Sequence, residues 1–172
     1  MSPLLMRLAA KSHKNLEVFL REHLGDESLR LPSLTVYCGR FAGLITRLVG
    51  VGAITLGRFI LVSPRLIARD GRGRLIVPGW LMAHEAMHVV QYGRAGVIRF
   101  LIEYFGGYWR TLLEGKKLNA AARMYAYLSI AEECDARVAE AAYRTWIQRK
   151  AGRAVDENEV AETRRDETPA AT

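Results

Sequence analysis

The sequence predicts an α+β domain, mostly helical, with a short β element beside the helix that contains His84, Glu85 and His88. Apolar residues recur at helical spacing over most of the chain, whereas residues 53–63 are rich in β-branched side chains around a central glycine. The chain has 172 residues, half of them hydrophobic, which is enough to bury a core of its own. We therefore expect one domain over residues 1–150.

The first half is predicted to alternate helices and strands. Pro3 follows a serine at a favourable helix start, apolar residues continue at helical spacing, and Gly25 ends the run, which predicts a helix over 3–24. Three further elements are predicted in this half: a strand at 33–39, a helix at 40–50 and a strand or hairpin at 53–63.

The second half is predicted to be helical. Pro78 and Gly79 introduce a helix that carries the two histidines and runs to Tyr92, with Gly93 as its end. Two more helices are predicted at 97–115, with a kink or break at Gly106 and Gly107, and at 121–150. Large apolar side chains are few beyond this point, so residues 151–172 are expected to form a flexible charged tail.

Charge and hydropathy limit the partners and the location. The net charge is +7, and because the last segment is acidic, the rest of the chain is more basic than this total. A basic surface that binds an anionic partner is therefore expected. A nucleic acid is disfavoured because the arginines look scattered along the chain. Arg47 and Arg58 interrupt the most apolar stretch, which excludes a transmembrane segment. No signal peptide is visible, which predicts a cytoplasmic protein, with export by a specialised secretion or injection system as the alternative.

His84 and His88 are spaced to bind one metal ion. Residues four apart lie one turn above each other on a helix, so both imidazoles can converge on Zn²⁺. Glu85 is rotated by about 100°, where it is placed to take a proton from a metal-activated water without being a ligand. The alternative is that one histidine packs or caps and the glutamate is solvated. The apolar neighbours argue against this, because unpaired His and Glu are costly in a buried helix.

A third ligand has to come from elsewhere, since a catalytic zinc usually takes three protein ligands and a water. The position six residues after His88 is Arg94, which excludes a closely spaced third histidine. Glu132, Glu133 and Asp135 are the richest source of carboxylates. Alternatively, Glu133 pairs with Arg137 one turn on, on a solvated face. The residues alone leave both readings open.

Residues 17–92 resemble the small bacterial metallopeptidase-like domain found with extracellular contractile injection systems and toxin proteins. The likeness includes a glycine after the first helix and two motifs: Ala53-x-Thr55-x-Gly57, and His84-Glu85-x-x-His88-Val89-x-Gln91. The chain departs from the usual pattern at Ala86, Met87 and Tyr92.

This resemblance implies a zincin-like fold and a zinc peptidase of the gluzincin type. Members of the family often supply the third ligand from a later Glu-x-x-Ala helix, and Glu133 to Ala136 matches that pattern. The implied roles are His84, His88 and Glu133 as zinc ligands and Glu85 as general base.

The expected function is a zinc-dependent metallopeptidase that hydrolyses a peptide or protein substrate, bound in extended form along the edge of the β element. One alternative is a non-enzymatic, metal-stabilised docking or cargo domain of a secretion or injection apparatus. Another is a basic peripheral membrane protein that uses the helix at 3–24. Tyr92, Tyr125 and Tyr127 are candidates to stabilise an oxyanion, although core packing is the simpler role for each. Cys38 and Cys134 are expected to be reduced.

Overall fold

The α+β, mostly helical class is confirmed by a computed structural model, which describes residues 4–71, 73, 75–115 and 119–166. Six helices are formed in these ranges: α1 Ala10–Leu24, α2 Arg40–Val49, α3 Gly79–Ala95, α4 Val97–Glu114, α5 Ala120–Leu128 and α6 Ala131–Asp166. The strands are β1 Leu4–Arg7, β2 Thr35–Cys38, β3 Ala53–Leu56, β4 Phe59–Val62, β5 Ala68–Arg69 and β6 Leu75–Ile76.

The main sheet is mixed and has the order β1-β2-β4-β3. β1 is antiparallel to β2, β2 is parallel to β4, and β3 forms an antiparallel hairpin with β4. Gly57 supplies the positive φ of 60° that the two-residue hairpin turn requires. The predicted β element at 53–63 is therefore a hairpin, and it places β3 at an edge of the sheet. β5 and β6 form a separate two-stranded pair.

The core lies between this sheet and three helices, α1, α3 and α6. Leu20, Ile60 and Val62 are fully buried within it. Ala83 and Ala86 on α3, and Ala136 and Ala139 on α6, are also completely buried. Small side chains at these positions let the backbones of α3 and α6 approach closely, which brings functional side chains of both helices together.

The prediction of one helix over 3–24 was wrong at its amino-terminal end. Leu4 to Arg7 pair with β2 instead, and α1 begins only at Ala10. The helical spacing of the leucines is real, but a neighbouring strand edge supplies backbone hydrogen bonds that the spacing does not reveal. Gly25 ends α1 in the left-handed conformation, as predicted.

Three helix boundaries in the second half also differ. α3 passes through Gly93 and ends at Ala95, and Gly96 follows it with a positive φ of 79°. α4 continues through Gly106 and Gly107, where a kink or break was predicted, so the helix is not broken there. The single helix predicted at 121–150 is divided by a turn at Ser129 and Ile130, so Glu133 lies in the first turn of α6.

The carboxyl-terminal tail was predicted to be flexible from Ala151. The backbone continues α6 as far as Asp166, and residues 167–172 lie outside the described part. Alanine, glutamate and arginine are strong helix formers, and the first proline after α6 begins is Pro169, so nothing in this stretch stops the helix. The flexibility of residues 151–172 stays a prediction, because a helical backbone alone does not test it.

The prediction that no segment crosses a membrane agrees with the structure. Within the described ranges, every helix falls short of the length or the apolar character that spanning a bilayer requires.

Candidate metal centre

His84 and His88 lie one turn apart on α3, and Glu133 reaches them from the first turn of α6. Their ligand atoms all lie within 4.8 Å of one another. His84 Nε2 is 3.5 Å from Glu133 Oε2, and His88 Nε2 is 3.5 Å from Glu133 Oε1. Metal bonds of about 2.0–2.1 Å in a tetrahedral site separate two ligand atoms by roughly 3.4 Å. The two distances from Glu133 are close to this value, so the three side chains could hold a metal ion between α3 and α6.

The Nδ1 atom of each imidazole, on the side of the ring away from Glu133, faces another polar side chain. His88 Nδ1 is 2.8 Å from Gln91 Oε1, which leaves Nε2 as the nitrogen directed at Glu133. Gln91 is itself held by α6, because its Nε2 donates to the carbonyl of Glu132. His84 Nδ1 is buried, has no hydrogen-bond partner among the described residues, and lies 3.5 Å from Glu140 Oε2. Carboxylates and amides behind metal-binding histidines commonly fix the ring orientation.

Glu133 is distinguished from Glu132 by its direction and its partners. Its carboxylate is buried and accepts hydrogen bonds of 2.7 Å from the hydroxyls of Tyr104 and Tyr127. Burial acts to raise the pKa of Glu133, but the hydrogen bonds with His84 and His88 outweigh it and hold the pKa well below its usual range. Glu133 is thus kept ionised, as a metal ligand must be. Arg137 bonds instead to the carbonyl of Leu128, so the alternative pairing with Glu133 is not formed.

Glu85 lies beside the cluster, buried and hydrogen-bonded. Thr55 on β3 donates its hydroxyl to Glu85 Oε2 at 2.6 Å. Burial raises the pKa of Glu85, while the charge of His88 and the hydrogen bond from Thr55 partly oppose it. A carboxyl group with a raised pKa is suited to take up a proton and release it again near neutral pH.

α4 and α5 cover the site with aromatic side chains. Phe100 contacts the ring of His88 and stacks on Tyr104. Burial and the charge of Glu133 raise the pKa values of Tyr104 and Tyr127, so both hydroxyls stay protonated donors. The exposed fractions of the His84, His88 and Glu133 side chains are 12 %, 8 % and 4 %. Solvent therefore reaches the cluster most readily at His84.

The structure brings together the predicted set of His84, Glu85, His88 and Glu133. Among the tyrosines proposed from sequence, Tyr127 contacts the cluster, Tyr92 donates to the carbonyl of Thr55, and Tyr125 points into solvent. His13 bonds to the carbonyl of Pro32 and His23 stacks on Phe19, so both histidines lie outside the site. Cys134 is exposed, and it forms no disulfide with Cys38.

Sequence reasoning missed Tyr104 and Glu140. Tyr104 lies on α4, 29 residues before Glu133, and only its position opposite α6 reveals the bond to that carboxylate. A signal for Glu140 was present, because it follows Glu133 by seven residues, which is two helical turns and hence the same face of α6.

No protein-family model, curated protein or solved structure matches this chain. The likeness to the metallopeptidase-like domain remains a resemblance carried by the motifs, and the proposed function depends on the geometry of the cluster.

The hydrogen bond from Thr55 to Glu85 should contribute measurably to stability. We expect Thr55→Val to lower the free energy of unfolding by roughly 1.5 kcal/mol, because the buried carboxyl group loses its hydroxyl donor while the side-chain volume is kept. Thr46→Val is the matched control, since Thr46 is also buried but its hydroxyl bonds only to neutral backbone carbonyls of its own helix, those of Ala42 and Gly43. Urea unfolding of both variants measures the difference, and equal losses would contradict a special role for the Thr55 bond.

Proposed function

We propose that this protein is a zinc-dependent metallopeptidase in which His84, His88 and Glu133 hold the metal and Glu85 is the general base. The observation that carries the proposal is the convergence of the three ligand atoms within 4.8 Å beside a buried carboxyl group. Two histidines and a carboxylate are a usual donor set for catalytic zinc, which keeps one position for water.

Each residue has a defined task in this proposal. Zn²⁺ bound there would polarise a peptide carbonyl and lower the pKa of a water molecule. Glu85 accepts the proton of that water and delivers it to the leaving amine. Gln91 orients His88, and Glu140 faces Nδ1 of His84. Thr55 holds the carboxyl group of Glu85 in place.

The substrate class follows from the position of β3. This strand is the last of the sheet, and its residue Thr55 contacts α3 through Glu85. An extended peptide added to this edge would run close to the cluster. The carbonyl of Thr55 is already used by Tyr92, so strand addition would depend on the rest of the edge.

One observation favours the alternative of a non-enzymatic, metal-stabilised docking or cargo domain. His88 and Glu133 are almost completely shielded by α4 and α5, as in metal sites that serve stability alone. The two functions differ in whether a bound substrate reaches the metal.

Zinc content and hydrolysis together test the proposal. We expect about one zinc per purified chain, lost in His84→Ala and kept in His13→Ala, because His13 is a histidine away from the cluster. Metal analysis by mass spectrometry measures this zinc content.

Cleavage of an unstructured protein such as casein, inhibited by a chelator and restored by zinc, is the expected activity. Zinc binding without cleavage of any substrate in a broad peptide library would favour the docking domain, and equal zinc in both variants would overturn the site.

A further inference from the structure

One stretch of the chain is basic without interruption. Between Glu27 and Asp70 there are six arginines and no acidic residue. All six are exposed in the structure: Arg30, Arg40, Arg47, Arg58, Arg65 and Arg69. The arginines that look scattered along the whole chain are therefore unopposed within this segment, which produces a local positive field.

The same segment contains a helix whose apolar side faces solvent. We name this surface the α2 face; it consists of Phe41, Leu44, Leu48 and Val49, which are 70 %, 63 %, 80 % and 61 % exposed. The opposite side of α2 is anchored in the domain by the buried residues Ala42 and Thr46. The orientation is fixed further where Gly43 meets Pro64, since a Cβ atom there would lie 3.1 Å from the proline ring. The apolar side is therefore held outward by packing on the other side of the helix.

The apolar surface continues onto the neighbouring sheet. A cavity of about 580 Å³ beside the start of α2 is lined by Phe41, Tyr37 and Leu61, among others. Tyr37 also contacts the ring of Phe59, which is partly exposed, and Arg58 lies over that ring at 5.4 Å. Arg40 and Arg47, seven residues apart, lie along one border of the α2 face.

We propose that the α2 face and the adjoining sheet bind the surface of an anionic membrane. Leucine, valine and phenylalanine side chains insert among the acyl chains, and the arginines around them contact the lipid phosphates. A nucleic acid would use the arginines but would leave the aliphatic side chains of α2 without a partner. This inference is independent of the metal centre.

α4 carries a second exposed apolar stripe, and its charge distinguishes it from the α2 face as a membrane-binding surface. Ile98 and Ile102 are as exposed as the α2 residues. Glu103 lies beside them and is paired with Arg99 at 2.8 Å, so the basic charge is neutralised locally. The α4 stripe therefore lacks the electrostatic match to anionic lipid that the α2 face has.

Cosedimentation with lipid vesicles tests this assignment. We expect the protein to bind vesicles of equimolar phosphatidylglycerol and phosphatidylcholine, to bind pure phosphatidylcholine weakly, and to dissociate as salt is raised. The double variant Phe41→Ser/Leu48→Ser should lower the affinity by on the order of tenfold or more, because the inserted apolar area is lost. Arg40→Gln/Arg47→Gln should also lower it by on the order of tenfold.

The matched control is Ile98→Ser/Ile102→Ser, which removes equally exposed side chains from α4 and should leave binding unchanged. Circular dichroism checks that all variants are folded. Equal binding to neutral vesicles, or loss of binding only in the α4 variant, would overturn the proposal. The proposal would also be overturned if the wild type did not bind vesicles but formed a dimer or bound duplex DNA, and the Phe41/Leu48 variant lost that dimer or that DNA binding.

Discussion

Glu133→Ala should lower the zinc affinity by well over a hundredfold, whereas Glu132→Ala should change it little. Residues behind the ligands of a metal site typically contribute about 10–100-fold to affinity, so loss of a direct ligand should exceed that range. Glu133 is 3.5 Å from both histidines, but Glu132 takes part only through its backbone carbonyl. Competition against a chromophoric chelator of known affinity measures both variants.

Glu133 also accepts the hydroxyls of Tyr104 and Tyr127, so its removal leaves two buried donors without a partner. Glu133→Gln is the companion variant, because it keeps the volume and an acceptor oxygen but removes the charge. It should fold and still bind zinc far more weakly than the wild type. The reverse ranking of Glu132 and Glu133 would move the ligand to Glu132, and two small effects would mean that neither carboxylate binds the metal.

Glu85→Gln should retain the zinc and the fold but reduce peptide hydrolysis by about 10²–10⁴-fold, the usual contribution of a general acid–base group. Glutamine fills the same space beside Thr55, but its side-chain amide cannot act as a base near neutral pH. Zinc content, the melting temperature and turnover of a cleavable substrate are measured on the same preparation. Glu132→Gln is the control on α6 and should keep full activity.

The two variants separate metal binding from chemistry. If Glu85→Gln lost its zinc, Glu85 would be a ligand, in conflict with its hydrogen bond to Thr55. If it kept both zinc and hydrolysis, another group would have to be the base. The proposed assignment requires zinc to depend on Glu133 and turnover to depend on Glu85.

Much of the local structure follows from the sequence. The helix that carries His84 and His88, the glycine that ends α1, and the hairpin around Gly57 are each specified by residues close together in the chain. The shared direction of the two histidines is likewise local, because a spacing of four residues places them on one helix face whatever surrounds the helix. The sequence by itself therefore determined the α+β class and half of the candidate site.

The remaining half was decided by packing. Glu132 and Glu133 are chemically identical neighbours, and only the close approach of α3 and α6 through buried alanines turns Glu133 toward the histidines. Thr55 and Tyr104 lie 30 and 29 residues from their partners Glu85 and Glu133. β1 is a strand only because β2 offers it an edge. Periodicity and capping report interactions within a few residues, whereas these contacts depend on how separate elements pack. The resemblance favoured Glu133, but the contacts of Thr55, Tyr104 and β1 became visible only in the tertiary structure.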